Sequence, residues 1–229
     1  MTDAPISAIV FDFDGVLADS EPLHLKAYQH IFEPHGIHID RKAYCDRYLG
    51  YDDEGSIRQM VADNSLMLGD EEIEVLLREK ARVFEKLVSN GDVLYRGAAA
   101  CARRLGAEWP LGIASGALRH EIELMLRGAR LLEAFRFIVS AGDTDRTKPA
   151  PDPYLRAVSL LAPACGGHLR SSDCIAIEDS HWGLQSARAA GLRTVAVSNT
   201  YSAGELVADL TIASLEAMDL DLLARLCSE

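Results

Sequence analysis

The sequence predicts an α/β fold in which a doubly wound, mostly parallel sheet carries an inserted all-α domain. Three observations predict it. Short apolar runs at 8–11, 110–114, 137–140, 174–177 and 194–197 are unbroken, as suits strands covered on both faces. From residue 92 onward these runs alternate with amphipathic helical patterns, the signature of a Rossmann-like sheet with helices on both sides. Between Asp19 and Asn90, by contrast, no strand-like run occurs.

The first strand, Ala8 to Phe11, breaks off at Asp12, Asp14 and Gly15. Two carboxylates spaced by two share one side of an extended chain, and a glycine next to them lets the backbone turn away. Ser20 is the expected cap of a helix that has Pro22 in its first turn and ends near Phe32, stopped by Pro34 and Gly36. Further helices are expected from Arg41 to Tyr48, ended by Gly50, and from Asp53 to Ala62. Asp70 is read as the cap of a long helix in which Ile73, Leu76, Leu77, Ala81, Phe84, Leu87 and Val88 recur at helical spacing up to Gly91. This block reads as a helical domain at 19–91, inserted into a core of 1–18 and 92–229 and placed where it can cover the end of the first strand. In the core, helices are expected at Ala98–Leu105, closed by Gly106, at Arg119–Arg127, at Tyr154–Leu161 and at His181–Ala190, closed by Gly191.

The chain has 229 residues and a formal charge of -12, from 23 Lys and Arg against 35 Asp and Glu. Without a basic stripe there is nothing to neutralise a polyanionic backbone, so nucleic acid and anionic membrane surfaces are not expected partners. A phosphorylated small molecule stays allowed, because a bound metal and one or two cations set the field locally. The five cysteines, Cys45, Cys101, Cys165, Cys174 and Cys227, are scattered and form no CxxC pair, which fits neither a disulfide framework nor a zinc site. Residues 1–10 lack the basic start and apolar stretch of a secretory signal, and no apolar run approaches the length of a membrane span. A soluble, cytoplasmic protein is expected.

Each strand end carries polar residues. Asp12 and Asp14 at the mouth of a buried strand require a divalent cation or a cationic side chain, unless one simply caps a helix and the other is solvated. Ser115 and Gly116, just before a helix, offer a hydroxyl and free N–H groups to an oxyanion, although the same pair is ordinary turn chemistry. Asp152 as N-cap and Pro153 as first helical residue account for the start of a helix, whereas Lys148, between the third strand and that helix, has no capping duty and can reach over the strand ends. Glu178 and Asp179 follow the fourth strand and can give oxygens to one Mg²⁺; one of the two can instead orient a water or pair with Lys148, which makes Asp179 the stronger candidate for the metal. Ser180 is the expected cap of the next helix.

The ordered set DFDGVLADSEPLH, ASG, KPAPDPY and IEDSHWG resembles the haloacid dehalogenase superfamily, in its branch with a helical cap inserted after the first strand. The resemblance spans essentially the whole chain. It implies that Asp12 is the nucleophile that becomes an aspartyl phosphate, and that Asp14 is the general acid and then the base. It further implies that Ser115, Gly116 and Lys148 hold the phosphoryl oxygens, and that Mg²⁺ is held by Asp12, the Asp14 carbonyl, Asp179 and Glu178. A Mg²⁺-dependent phosphatase acting on a small phosphorylated metabolite is the implied activity. Metal-free dehalogenases of the superfamily lack the second aspartate, so Asp14 argues against them. The rival is a sugar-phosphate mutase of the β-phosphoglucomutase type. Those enzymes carry an Arg shortly after the cap Gly and a Ser-Lys-Asn stretch; here stand Tyr51, Asp52, Asp53 and Glu54, and Ala117, Leu118 and Arg119. An acidic loop is poorly suited to grip a bisphosphate. His24 occupies the place of a mutase hinge histidine, and with Arg119 it is a candidate for substrate or cap contacts. A non-catalytic binding protein has no need of both Asp12 and Asp14. A monomer or weak homodimer is expected, and the natural substrate is not encoded in any motif.

Overall fold

The computed structural model describes residues 6–48, 51–90 and 93–226. The chain divides into two compact units, Met1–Asp19 with Val93–Glu229, and Ser20–Asp92. In chain order the elements are β1 (Ala8–Phe11), α1 (Glu21–Phe32), α2 (Arg41–Arg47), α3 (Asp53–Asp63), α4 (Asp70–Asn90), α5 (Ala98–Glu108), β2 (Leu111–Ala114), α6 (Arg119–Gly128), β3 (Phe135–Val139), α7 (Asp152–Leu161), β4 (Cys174–Glu178), α8 (His181–Ala189), β5 (Arg193–Val197), β6 (Leu210–Ile212) and α9 (Leu220–Leu226).

In the α/β unit the described strands form one parallel sheet in the order β3-β2-β1-β4-β5-β6. Every residue of β1, β2 and β4 is buried, which is why these runs are unbroken rather than alternating. The order reverses between β1 and β4, so the crevice beyond their carboxyl ends is the place such a sheet leaves for a ligand. The register pairs Phe11 with Ile177 and with Ile113. Asp12 and Glu178 follow the paired residues directly and Ser115 one residue after Ala114, so all three emerge at the same end of the sheet.

Several expectations are corrected. Strand β6 and helix α9 went unread: β6 is only three residues long, at the sheet edge, and is tied on by Asp209, which accepts from Thr194 N (2.6 Å) and Thr194 Oγ1 (2.8 Å). Strand β3 begins at Phe135, not Phe137, and ends at Val139. Helix α5 runs through Gly106 to Glu108. That glycine is a packing residue, since a Cβ there would lie 3.3 Å from the Leu111 side chain. Asp152 is the first residue of α7 and makes no capping bond; its carboxylate holds Arg146 at 2.9 Å.

The helical unit has its own core, including Tyr28, Phe32, Tyr44, Ile57 and Met60. Asp40 caps α2 by accepting from Ala43 N (2.7 Å), and Asp52 caps α3 by accepting from Gly55 N (2.8 Å). Ser20 is helical in backbone and makes no side-chain capping bond. Asp70 is the first residue of α4, where it pairs with Arg58, and Glu72 accepts from Gly69 N instead (2.8 Å). Three core tyrosines keep their hydroxyls satisfied by donating to carboxylates: Tyr28 to Asp53 (2.7 Å), Tyr44 to Glu21 (2.6 Å) and Tyr48 to Asp63 (2.9 Å). Gly50, Gly91 and Cys227 lie outside the described residues. Cys101 and Cys174 are buried as core side chains. Among the described residues no helix is long and apolar enough to cross a membrane.

Candidate active site

Asp12 is still held by the sheet, its N–H donating to Ile177 O at 2.8 Å. The chain then turns sharply: Phe13 O accepts from Leu17 N (2.8 Å) and Ala18 N (3.0 Å), and Gly15 takes φ +78°. Only glycine suits that turn, because the backbone is left-handed there and a Cβ would fall 1.9 Å from Asp179 Oδ2. The DxDG spacing thus brings the first turn flush against the carboxylate that follows β4. Asp14 lies half-buried within it and bridges to Ala18.

Lys148 reaches the same place from the segment before α7. Its ammonium lies 2.8 Å from Asp12 Oδ1 and 2.6 Å from Glu178 Oε1. The loop carrying it is pinned by Ser186 Oγ, which donates to Ala150 O at 2.5 Å. Glu178 is fully buried, and both its oxygens accept from the chain: Oε1 from Lys148 and Tyr154 O–H (2.8 Å), Oε2 from Asp179 N (3.1 Å), Ser180 N (3.4 Å) and Ser180 Oγ (3.1 Å). Ser180 also caps α8, accepting from Gly183 N (3.1 Å). Glu178 is therefore the anchor of the site's cation and of the β4–α8 turn. Of the roles open to it in the sequence, pairing with Lys148 is the one its hydrogen bonds show.

Ser115 is buried at the end of β2; its N–H donates to Val139 O and its Oγ accepts from Ala117 N (3.1 Å). Gly116 is exposed, with open space where a Cβ would be. Arg119 does not join this group. Its guanidinium holds the end of β3, donating to Ile138 O (2.6 Å) and to Asp143 (2.6 Å), which also accepts from Ser140 N and Oγ. His24 belongs to the helical unit, where Lys80 donates to its Nδ1 (2.8 Å) and Phe84 stacks on it at 4.2 Å.

One carboxylate oxygen each from Asp12, Glu178 and Asp179 lies within 4.8 Å of the others, and all three residues are buried. Burial raises the Asp12 pKa well above the usual carboxylate range; Glu178 and Asp179 push it further, and Lys148 opposes them. Asp179 is pushed up to about 6, again by burial first, with the Thr200 hydroxyl pulling the other way and Glu178 raising it. Three buried acids facing one ammonium lack a positive charge. A hard, oxygen-loving divalent cation such as Mg²⁺ fits that donor set.

Tyr154, Asn199 and Thr200 also shape the site, and sequence reading missed all three. Tyr154 lies inside KPAPDPY, where the sequence predicts only a helix. Asn199 and Thr200 follow β5 in a turn with no motif of its own. Asn199 Nδ2 donates to Gly15 O (2.8 Å), and the Thr200 hydroxyl donates to Asp179 Oδ2.

Residues 9–197 match the model of the haloacid dehalogenase-like hydrolases. "Protein CbbY, plasmid" of Cupriavidus necator is 34% identical over 210 residues, covering 86% of this chain and 80% of the relative. The fructose-1-phosphate phosphatase YqaB of Escherichia coli (83% of this chain, 96% of the relative) and the β-phosphoglucomutase of Bacillus subtilis (95% and 94%) are each 27% identical. The crystal structure of CbbY from Rhodobacter sphaeroides in complex with phosphate superposes with a TM-score of 0.75 at 27% identity, over 93% of this chain and 96% of that one. With the matched stretch running from β1 to β5, the chain belongs to the haloacid dehalogenase-like hydrolase family.

Proposed function

We propose that this chain is a Mg²⁺-dependent phosphomonoester hydrolase acting on a small phosphorylated metabolite through an aspartyl phosphate on Asp12. The observation that carries this reading is the contact of Lys148 with both Asp12 and Glu178, beside Asp179 at the end of the same buried strand. Mg²⁺ held by Asp12, the Asp14 carbonyl and Asp179 supplies the charge that lets an anionic phosphate approach a carboxylate. One Asp12 carboxylate oxygen attacks phosphorus while the Asp14 carboxyl protonates the departing alkoxide oxygen. Asp14, now ionised, takes a proton from the water that attacks the aspartyl phosphate, releasing phosphate and restoring Asp12. Lys148, the Ser115 hydroxyl and the Gly116 N–H hold the non-bridging oxygens. Glu178, its oxygens engaged by Lys148, Tyr154 and the β4–α8 turn, holds Lys148 in place and borders the cation site.

The mutase reading requires a grip on a second phosphoryl group. In the helical unit, Lys80 is neutralised by Asp53 at 2.6 Å, and Glu54 is paired with Arg58 at 2.8 Å. The run Asp52–Asp53–Glu54 is thus less repulsive than its sequence suggests, since its first acid caps α3 and the other two hold cations. Equally, Lys80 is not an uncompensated cation for a second phosphate. Likeness to named relatives does not separate the two readings, as a phosphatase and a mutase are equally identical to this chain.

The test is phosphate release from a panel of sugar and polyol monophosphates, with and without Mg²⁺, for the wild type and Asp12→Asn. Release is expected only with Mg²⁺ and Asp12, and Asp12→Asn should fold normally yet lose roughly 10³-fold or more of the activity. Persistence of release in chelator, or in Asp12→Asn, would refute the mechanism. Isomerised sugar phosphate without free phosphate, seen by phosphorus NMR, would favour the mutase.

A further inference from the structure

We infer that the turn after β5 is a positioning element for the cation site, with Thr200 orienting Asp179 and Asn199 fixing the first turn against it. Two hydrogen bonds from that turn meet one close approach between the groups they hold. The Thr200 hydroxyl donates to Asp179 Oδ2. The same oxygen packs close to Gly15, where a Cβ would lie at 1.9 Å. Asn199 Nδ2 donates to Gly15 O at 2.8 Å, so one two-residue segment grips both the turn and the carboxylate it touches.

The consequence follows from the donor inventory. A carboxylate that accepts from a fixed hydroxyl through one oxygen is held in a single rotamer, with its second oxygen left for a metal. The end of β5 thereby joins the segments that build the site, although it contributes no ligand of its own. Thr200 is itself solvent-exposed, so its side chain is not needed for packing.

This inference rests on the proposal that Asp12 and Asp179 hold Mg²⁺, and its test separates the two. Mg²⁺ is titrated calorimetrically into the full-length, metal-free chain without substrate, for the wild type, Thr200→Val, Thr200→Ser and Asn199→Leu. Thermal unfolding in chelator checks that each variant is folded. Thr200→Val is expected to bind Mg²⁺ roughly 10–100-fold more weakly, with Thr200→Ser close to wild type. Asn199→Leu should also weaken binding, by loosening Gly15. Wild-type affinity in Thr200→Val, or a Thr200→Ser as weak as Thr200→Val, would overturn the positioning role while leaving the Mg²⁺ site intact. Absence of Mg²⁺ binding by the wild type would instead remove the reading on which the role rests.

Discussion

Lys148 sits between two buried carboxylates, 2.8 Å from Asp12 and 2.6 Å from Glu178, and its loss leaves both facing Asp179 without a counter-charge. Lys148→Met should therefore cost about 3–5 kcal/mol of unfolding free energy, less whatever Asp12 recovers by taking up a proton. Urea denaturation in chelator measures it, and a change under about 1 kcal/mol would mean that the site does not depend on this cation for its charge balance. At this scale much was legible in advance. Asp12, Lys148, Glu178 and Asp179 announce themselves because acids and a lysine are costly at buried strand ends. Arg119 looks free in a sequence, whereas in the structure Ile138 O on β3 and Asp143, 24 residues away, both accept from its guanidinium. Thr200 was invisible for the opposite reason, since a lone hydroxyl after a strand has no pattern.

Among the elements, α4 carries the least expected chemistry. Lys80 on this helix is fully buried, donating to Asp53 Oδ2 (2.6 Å) and to His24 Nδ1 (2.8 Å), with the Phe84 ring at 4.8 Å. An ammonium can only donate, so His24 accepts at Nδ1 and, when neutral, carries its proton on Nε2. Burial first, and Lys80 second, lower the His24 pKa from 6.5 to about 4, while Asp53 pulls the other way. The unfolded chain protonates this histidine below about 6.5 and the folded chain does not, so stability falls as pH drops from about 6.5 to about 4. Denaturation midpoints across that window should show the loss in wild type and a flatter profile in His24→Asn, which keeps an acceptor for Lys80. Equal slopes in the two proteins would assign the pH dependence elsewhere. Helical periodicity revealed α4 but not this cluster, because Lys80 reads as a solvated position until α1 and α3 pack against it.

Across the whole chain, the titrations of the two units oppose each other. His24 favours the folded state at higher pH. Asp12 and Asp179, with folded pKa values raised, favour it at lower pH, and their contribution is lost as pH rises from the ordinary carboxylate range through about 6 for Asp179. A bound divalent cation supplies the missing charge, so Mg²⁺ should raise the unfolding temperature more at pH 7.5 than at pH 5. Scanning calorimetry with and without Mg²⁺ at both pH values tests this, and using the difference cancels the His24 contribution. A shift that is the same at both pH values would mean that the cation does not bind at the carboxylate cluster. The net charge of -12 adds a further reason for a cation to stabilise the native chain, one that should fade with added monovalent salt while the specific shift persists.

The sequence by itself determined the α/β class, the interruption by helices after β1 and the residue types at four strand ends. These are local properties: unbroken apolar runs, helical spacing and polar residues placed where a strand stops. The tertiary structure decided which acids share a space, which oxygen of Glu178 meets Lys148, and that the turn after β5 reaches back to Gly15 and Asp179. Those facts come from parallel strands distant in the chain lying in register beside one another, and no local pattern encodes a register.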